Sequence, residues 1–493
     1  MRTGITAKFV VGFDGHDHVV YENGEVVFED DTILFVGHDF SGAVDTVLDA
    51  GDAIVSPGFI DLDALADIDH AILDCWGSPD RQRGMRWSED YFRDGRRDLF
   101  SREEQAQNRR YALVQLLLNG VTTALPIAAE TYKAWAETYE EFADIVDVGR
   151  GLGIRLYLGP SYRAGVNVTR ADGTADVLWN EELGRDGLRQ AVAFARDFDG
   201  ANNGLVRAML APARIETMTL DLLRESKRVS DELGCPLRLH AAQSRTELEF
   251  LDRCYGKTPI ELLHELGLLG PRTLIPHAIY LRGRHGLPTG EFDEVRLLAE
   301  SGTSVIYCPL ANARYGGLLD SFDVYRLAGV NIGLGTDTFP PDLIQAMAFA
   351  HAFGRSSSED GAACDFADLY RALTLGGAQA LGRHDLGRLA PGAKADIAIV
   401  DLSALRTGPI EDPIRTLILY AHGGNVRDVI VNGRHVVQNR AFPGLDLAAL
   451  RAWGQNYFDR YRAAFSEWDY RRRSPEELFP PSFRMIGLPA TAS

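Results

Sequence analysis

The stretch VIYCPLANARYGGLLDSFDVYRLAGVNIGLGTDT, residues 305–338, has the pattern from which the fold class is inferred. Two short apolar runs, VIYC and VNIGL, are typical of buried strands. The segment between them has helical character and closes at Gly329, where the C-terminal end of a helix favours glycine. The second run ends in GTDT, which contains Asp337. The order strand, helix, strand is typical of an α/β protein with parallel strands.

The same alternation extends upstream from this stretch. Short β-branched or apolar runs occur at AIVSPGFID, GVTTALPI, IRLYLGP, GLVRAMLAP, PLRLHAA and RTLIPHA, with helix-like segments between them. Together with the two runs above, they predict eight strands, each followed by a helix, over roughly 300 residues, as in a (β/α)8 TIM barrel. An open doubly wound sheet is the alternative, but no GxGxxG turn follows the first strand.

Both ends of the chain are rich in strand patterns. AKFVVGF, HVVYENGEVVFED and TILFVGHDF stand near the start, and ADIAIVDL and VRDVIVNGRHVVQN stand far downstream. We therefore expect a small β-sandwich domain built from residues 1–55 and 389–445, with the catalytic barrel at 56–388. Residues 446–493 are predicted to form a helical extension, which is expected to pack against the body or another subunit.

Composition limits the classes of function. The net charge of −19 disfavours nucleic acid and anionic membrane surfaces as partners. We find no long apolar run and no secretory leader, so a cytoplasmic location is expected, with five scattered cysteines as reduced thiols. The expected partner is a small-molecule substrate, and the aromatic C-terminal segment favours a homo-oligomer.

Polar side chains stand at the ends of several predicted barrel strands, where the active sites of such barrels lie. They are Asp63, Arg163, His240, His277 and Asp337. Each has a structural alternative: a lone histidine can be a hydrogen-bonded structural residue, and Asp337 could cap a helix. Taken together, two histidines and an aspartate suit one divalent transition metal ion such as Zn, Fe, Co or Mn.

The predicted loop after the first strand, residues 66–100, is long and aromatic. Long loops in compact domains are often functional, so Trp76, Trp87, Tyr91 and Phe92 are candidates for an apolar cover over a substrate. Ordinary loop packing explains them equally well. His70 in the same loop is a reserve ligand or substrate contact.

Several motifs make the chain similar to the amidohydrolase superfamily, in the branch of cytosine deaminase and the triazine hydrolases. SPGFID resembles the entry to the family's first strand, LHAAQSRTELEF its strand-5 segment, and PHA its strand-6 histidine. Residues 305–338 resemble the block that ends in the family's strand-8 aspartate. TLGGAQALGRHDLGRLAPGAKADIAIVDL resembles the segment by which the family's chains lead from the barrel back to the sheet domain.

The chain departs from the family pattern at three places. The family usually has His-x-His after strand 1, whereas this chain has Asp63 and Leu65, of which only Asp63 can bind a metal. The branch's deaminases usually carry a glutamate proton shuttle where this chain has Gln243, which cannot exchange a proton near neutral pH. No lysine ends strand 4, so a two-metal site is not expected. Hydrolases of thiocarbamates (molinate) and phenylureas are similar in having an altered strand-1 motif.

The resemblance implies a metal-dependent hydrolase that cleaves a C–N bond of an amide-, urea- or carbamate-like molecule through a metal-bound hydroxide. The metal would be held by His240, His277, Asp337 and Asp63. Asp337 would also act as the general base, and His277 would be a second catalytic residue. Arg163 would hold a substrate oxygen or stabilise the anion, and Gln243 would contact substrate. The alternatives are an aminohydrolase of a pyrimidine, purine or triazine, and a non-catalytic ligand-binding barrel.

Overall fold

The barrel strands form two arcs of four parallel strands in the computed structural model, which describes residues 1–68, 70–73, 77–93, 99–128, 135–282, 293–317 and 321–486. In chain order, barrel strands 1 to 8 are Phe59–Leu65, Val121–Ile127, Arg155–Leu158, Val206–Ala208, Leu237–Arg238, Thr273–Pro276, Ser304–Tyr307 and Ile332–Leu334. A bridge between Leu210 and Leu237 joins the arcs after strand 4. Between strands 8 and 1, the Asp337 amide donates to the Asp63 carbonyl at 2.7 Å.

A helix follows each barrel strand on the outside of the barrel, as the sequence pattern predicts. The principal helices are Arg102–Leu118, Tyr139–Leu152, Glu181–Phe198, Leu220–Leu233, Arg245–Tyr255, Glu294–Ser301, Ser321–Leu327 and Leu343–Ser358. Shorter helices at Pro259–Glu265, Pro309–Arg314, Phe366–Arg371 and Gly377–Ala380 complete this layer. Side-chain caps begin many of them, and Gly234 ends the helix after strand 4 in the left-handed conformation that glycine tolerates.

The two ends of the chain share one eight-stranded sheet beside the barrel. Its strands are Arg2–Phe13, His18–Glu29, Thr32–Gly37, Thr46–Asp49, Ala53–Pro57, Ile397–Asp401, Val426–Val431 and Arg434–Val437. The contact across the chain ends is direct, because Ile397–Asp401 pairs antiparallel with Ala53–Pro57. A buried ion pair between Arg155 Nε and Asp396 Oδ2, 2.9 Å apart, ties this sheet to barrel strand 3.

The C-terminal extension packs on the loop that follows barrel strand 1. It contains the helices Leu447–Ala463 and Pro475–Leu478. Trp468, Tyr457 and Phe465 lie with Trp87 and Tyr91 in one buried cluster. The loop itself contains the short helices Pro79–Gly84 and Glu89–Arg93, and its strand Trp87–Ser88 pairs with the hairpin Gly165–Thr169 and Ala175–Trp179. Loop, hairpin and C-terminal extension thus form one layer, which we call the cover.

Other short elements include Ser161–Tyr162, Ala211–Pro212, Ala201–Gly204, the π-helical turn Ala372–Gly376 and the helix Pro413–Tyr420. No helix in the described ranges is long and apolar enough to span a membrane.

Candidate metal centre

Three potential metal ligands converge at the carboxyl ends of the barrel strands. Asp63 lies in strand 1, His240 follows strand 5 and His277 follows strand 6. One ligand atom from each residue lies within 4.8 Å of the others, and all three residues are buried. Asp337, after strand 8, adjoins them, because its Oδ2 is 3.4 Å from His277 Nε2. The structure therefore brings together the four side chains that the sequence proposed as ligands.

Both imidazole rings are oriented by hydrogen bonds at Nδ1. His240 Nδ1 lies 3.1 Å from the Ala213 carbonyl oxygen, and His277 Nδ1 lies 3.2 Å from Asn312 Oδ1. A carbonyl oxygen can only accept, so in both rings Nδ1 carries the proton and Nε2 presents a lone pair. Burial, reinforced by the neighbouring His240, lowers the pKa of His277 to about 3. The ring is therefore neutral at physiological pH, as a metal ligand must be.

Asp63 is a fully buried carboxylate beside a buried guanidinium. Its Oδ2 lies 3.3 Å from His240 Nε2, and its Oδ1 lies 3.3 Å from Arg238 Nη1. Burial by itself would raise the pKa of Asp63, but the positive charge that His240 carries when it is protonated, together with the Arg238 guanidinium, outweighs burial and lowers the pKa. Asp63 is therefore held as the carboxylate, which is the form that binds metal.

Two buried ligand atoms at the centre lack a hydrogen-bond partner among the described residues: Asp63 Oδ1 and His277 Nε2. Buried polar atoms are normally satisfied, so such orphaned atoms require an explanation. A donor set of two imidazole nitrogens and two carboxylates matches the preference of Zn²⁺ and its neighbours in the first transition row. The residues present therefore fit the divalent transition metal that the sequence implies.

The backbone is strained where the ligands are presented. His277 has φ of 71° and Asp337 has φ of 44°, and Ala242 and Ala278 beside the two histidines are also left-handed. Non-glycine residues in this conformation cost roughly 1–3 kcal/mol each and cluster at functional sites. The fold thus aims these side chains inward at an energetic cost.

A second buried aspartate, Asp61, fixes strand 1 to strand 8. Its two carboxylate oxygens accept hydrogen bonds from the backbone N–H of Thr336 at 3.0 Å and from its Oγ1 at 2.6 Å. Burial raises the pKa of Asp61 to about 6. Because Thr336 precedes Asp337, this pair sets the position of the strand-8 carboxylate relative to Asp63.

Gln243 lies at the rim of the same centre, held by two neighbours. Its Oε1 accepts from Arg214 Nη1 at 2.5 Å, and its backbone N–H donates to Glu247 at 3.0 Å. Glu247 also accepts from the Ala242 N–H at 2.6 Å. Since a guanidinium only donates, the Gln243 amide is oriented with its oxygen toward Arg214 and its NH2 group away from it.

Arg163 contacts the cover, to which the aromatic loop residues belong. Arg163 Nε donates to the Trp135 carbonyl at 2.7 Å, and its guanidinium lies 5.1 Å from the centre of the Trp87 ring. Trp87 itself is buried and packs edge-on against Trp468. These contacts are structural ones, and the substrate contacts expected of Arg163 and Trp87 stay predictions. Trp76 and the side chain of His70, two further candidates in this loop, lie outside the described residues.

Sequence reasoning missed several residues that surround the centre: Arg238, Asn312, Arg214 and Asp61. A signal existed for Arg238 and Asp61, because each stands two residues before a proposed ligand, and residues i and i+2 of a strand share a face. Asn312 and Arg214 lie outside the strands, and only their three-dimensional placement reveals them.

Comparison with known proteins assigns the family. The sequence model of the amidohydrolase family matches residues 54–436, which include both arcs of barrel strands and all four proposed ligands. The chain belongs to this family. The assignment confirms the superfamily and the (β/α)8 barrel with an additional sheet from both chain ends. It likewise confirms the expectation of an enzyme of the amidohydrolase type, which acts on carbon–nitrogen bonds other than peptide bonds.

The curated relatives of this amidohydrolase include nucleoside deaminases. The chain is 31% identical over 423 residues to 5-methylthioadenosine/S-adenosylhomocysteine deaminase from Natronomonas pharaonis, covering 85% of this chain and 89% of the relative. It is 27% identical over 432 residues to 5'-deoxyadenosine deaminase from Methanosarcina mazei, covering 86% and 90%. Among the expectations from sequence, these relatives favour the aminohydrolase alternative over amide, urea or carbamate cleavage.

Solved structures of the same fold include two that contain zinc. An adenosine deaminase from Xanthomonas campestris with bound zinc has a TM-score of 0.73 at 23% identity, covering 93% of this chain and 98% of its own. Atrazine chlorohydrolase from Arthrobacter aurescens, complexed with zinc, has a TM-score of 0.74 at 21% identity, covering 92% and 99%. The family assignment and the cluster of Asp63, His240 and His277 support the prediction of a divalent metal cofactor. The cytoplasmic location and the homo-oligomer stay predictions.

Proposed function

We propose that this amidohydrolase is a single-metal aminohydrolase: it adds water to a ring carbon of an amino-substituted heterocycle and releases the exocyclic nitrogen. The observation that carries the proposal is the convergence of Asp63, His240 and His277 within 4.8 Å, with Asp337 adjoining, in a chain related over most of its length to nucleoside deaminases. The family and the fold alone would not specify this chemistry.

Asp63, His240 and His277 would hold the cation, and Asp337 would complete the set from strand 8. When bound, a divalent transition metal lowers the pKa of a coordinated water toward neutrality and withdraws electrons from the reacting carbon. Arg238 and the two Nδ1 hydrogen bonds keep the protein groups in the protonation states that binding needs.

Asp337 is the proposed general base and proton carrier. Its side chain is 15% exposed, compared with 0% for Asp63 and 1% for His277, so it is the carboxylate that reaches the open part of the centre. It would accept a proton from the attacking water and pass it to the departing nitrogen as the ring carbon–nitrogen bond breaks. The products are an oxo-heterocycle and ammonia or an amine.

Gln243 would act as a hydrogen-bond donor to the substrate. Because Arg214 occupies its amide oxygen, the NH2 group is left to point at an acceptor, such as a ring nitrogen. It can stabilise that nitrogen but cannot transfer a proton to it. The inability of Gln243 to transfer a proton favours a second candidate, which is hydrolysis of an amide, urea or carbamate. In that reaction the carbonyl oxygen of the substrate accepts the hydrogen bond from Gln243, and only the departing nitrogen needs a proton.

A hydrolysis screen on zinc-loaded protein separates the candidates. The panel contains 5'-deoxyadenosine, aminopyrimidines and aminotriazines on one side, and anilides, phenylureas and carbamates on the other. Ammonia or amine release from the heterocycles, abolished in Asp337→Asn, supports the proposal, whereas amine release from the second group alone supports the second candidate. Stoichiometric zinc with no turnover on either side counts against both, and near-zero zinc would favour a non-catalytic ligand-binding barrel.

A further inference from the structure

The turn that follows barrel strand 5 is held by a buried glutamate from the helix Arg245–Tyr255. Glu247 is 2% exposed and lies in the first turn of this helix. Its Oε1 accepts a hydrogen bond from the Ala242 N–H at 2.6 Å, and its Oε2 accepts one from the Gln243 N–H at 3.0 Å. Both carboxyl oxygens are therefore used by two successive peptide groups of the turn.

The turn has a strained backbone, which explains why it needs this support. Ala242 has φ of 55°, a left-handed conformation that alanine rarely adopts. Such a conformation persists only where the surrounding structure holds it. Two successive N–H groups that point the same way form a small concave site for an acidic group. The carboxyl group of Glu247 fills that site and so holds the turn in its strained form.

The same turn connects the segments that carry the two histidine ligands. Ala242 lies two residues after His240. Its carbonyl oxygen accepts hydrogen bonds from the N–H groups of Ile279 at 2.8 Å and Tyr280 at 3.0 Å. Ile279 in turn lies two residues after His277. A displacement of the Ala242 peptide would therefore be transmitted to both imidazole ligands.

We propose that Glu247 is a positioning residue, which fixes the relative position of His240 and His277 through the turn after barrel strand 5. The same hydrogen bonds place Gln243, the proposed substrate contact. The inference rests on the proposed function for the place of the metal, and it adds the residue that keeps the ligands in that place. Glu247 acts through the backbone of the turn and takes no part in making or breaking bonds.

A matched control residue lies at two other strands of the barrel. Glu137 is 4% exposed, and its carboxyl oxygens accept hydrogen bonds from the N–H groups of Ala128 at 2.6 Å and Ser161 at 2.5 Å. Ala128 and Ser161 follow barrel strands 2 and 3, which carry none of the four proposed ligands. Glu137 and Glu247 are thus similarly buried and hydrogen-bonded, but only Glu247 holds a turn beside the metal ligands.

The test compares Glu247→Gln with Glu137→Gln in the full chain by competition titration of zinc against a chelator. Each oxygen of a glutamate can accept a hydrogen bond from a backbone N–H in either ionisation state, whereas the NH2 group of a glutamine cannot. Each variant therefore loses one such hydrogen bond. Glu247→Gln should lower zinc affinity about 10–100-fold, as the loss of a group that orients metal ligands does. Glu137→Gln should leave zinc affinity unchanged.

Urea unfolding curves show whether each variant is folded. If Glu247→Gln alone does not fold, the double variant Ala242→Gly with Glu247→Gln replaces it, because glycine adopts the left-handed conformation without strain. Its zinc affinity is then compared with that of Ala242→Gly alone, and the same loss is expected.

Wild-type zinc affinity in Glu247→Gln would overturn the proposal, as would an equal loss of affinity in both glutamine variants. Glu247 would then contribute only to general stability, and the proposed function would still stand. A failed hydrolysis screen would instead remove the proposed function, while the difference in zinc affinity between the two variants would still be measured. A wild-type chain that binds no zinc would overturn both.

Discussion

Arg238→Met should destabilise the metal-free protein more than the zinc-loaded protein. Arg238 and Asp63 are 1% and 0% exposed, and their closest charged atoms are 3.3 Å apart. Removing one partner of a buried ion pair costs about 3–5 kcal/mol, because the other charge stays buried without compensation. Methionine retains much of the volume, so packing adds little to this loss.

Zinc should reduce this cost, because a bound cation supplies positive charge to the same Asp63 carboxylate. Arg238 also donates to the Leu125 carbonyl at 2.6 Å, and the loss of that hydrogen bond, about 1 kcal/mol, is the same in both forms. We therefore expect the free energy of unfolding to fall by about 4–6 kcal/mol without zinc and by about 1–2 kcal/mol with it. By linkage, the variant should bind zinc more tightly than the wild type.

Urea unfolding of both proteins, with and without zinc, measures the four free energies. Arg155→Met is the matched control, because Arg155 and Asp396 form an equally buried pair away from the metal centre, 2.9 Å apart. Its cost should not depend on zinc. If Arg238→Met lowers the free energy of unfolding by the same amount with and without zinc, the bound metal does not interact with the Asp63 carboxylate and the reasoning is refuted.

Three further predictions concern residues around the centre, in the sheet from the two chain ends, and in the cover. Asn312→Ala should lower zinc affinity about 10–100-fold, since His277 loses the hydrogen bond that fixes its tautomer; unchanged affinity in a competition titration would contradict this. Burial lowers the pKa of His18 to about 4, so the unfolded chain binds a proton at higher pH than the folded one. The free energy of unfolding should therefore rise with pH between about 4 and 6.5. His18→Gln should reduce the difference between the free energies of unfolding measured in urea at about pH 5 and about pH 7 by about 2 kcal/mol. An unchanged difference would refute this. Trp468→Ala should lower the free energy of unfolding by about 3–5 kcal/mol, because a buried aromatic side chain is removed. It should also raise KM more than it lowers kcat, because the contact between Trp468 and Trp87 within the cover is lost. An unchanged KM in steady-state kinetics would argue against this role.

Much of the fold was predictable because its signals are local. Each barrel strand is a short apolar run, and several helices end at glycines such as Gly234 that favour a left-handed conformation. The sequence also placed His240, His277 and Asp337 at strand ends, where a barrel brings them to one mouth. These inferences need only the spacing of apolar residues along the sequence and the order of strands and helices in the fold.

The rest depends on contacts between distant parts of the chain. Arg238 stands in an apolar run that predicts only a strand, although its position two residues before His240 places it on the same face. The aromatic loop was expected to cover a substrate, but its partner, the extension around Trp468, follows it by nearly 400 residues and has no local signal. The pairing of Arg214 with Gln243 likewise follows from the meeting of two loops at the barrel mouth.

The most direct test of the account is a crystal structure of the cobalt-loaded protein with an anomalous difference map at the cobalt edge. The account predicts one strong peak per chain, within bonding distance of Asp63, His240 and His277, with Asp337 beside it. A peak elsewhere, or no peak between these side chains at saturating cobalt, would contradict it.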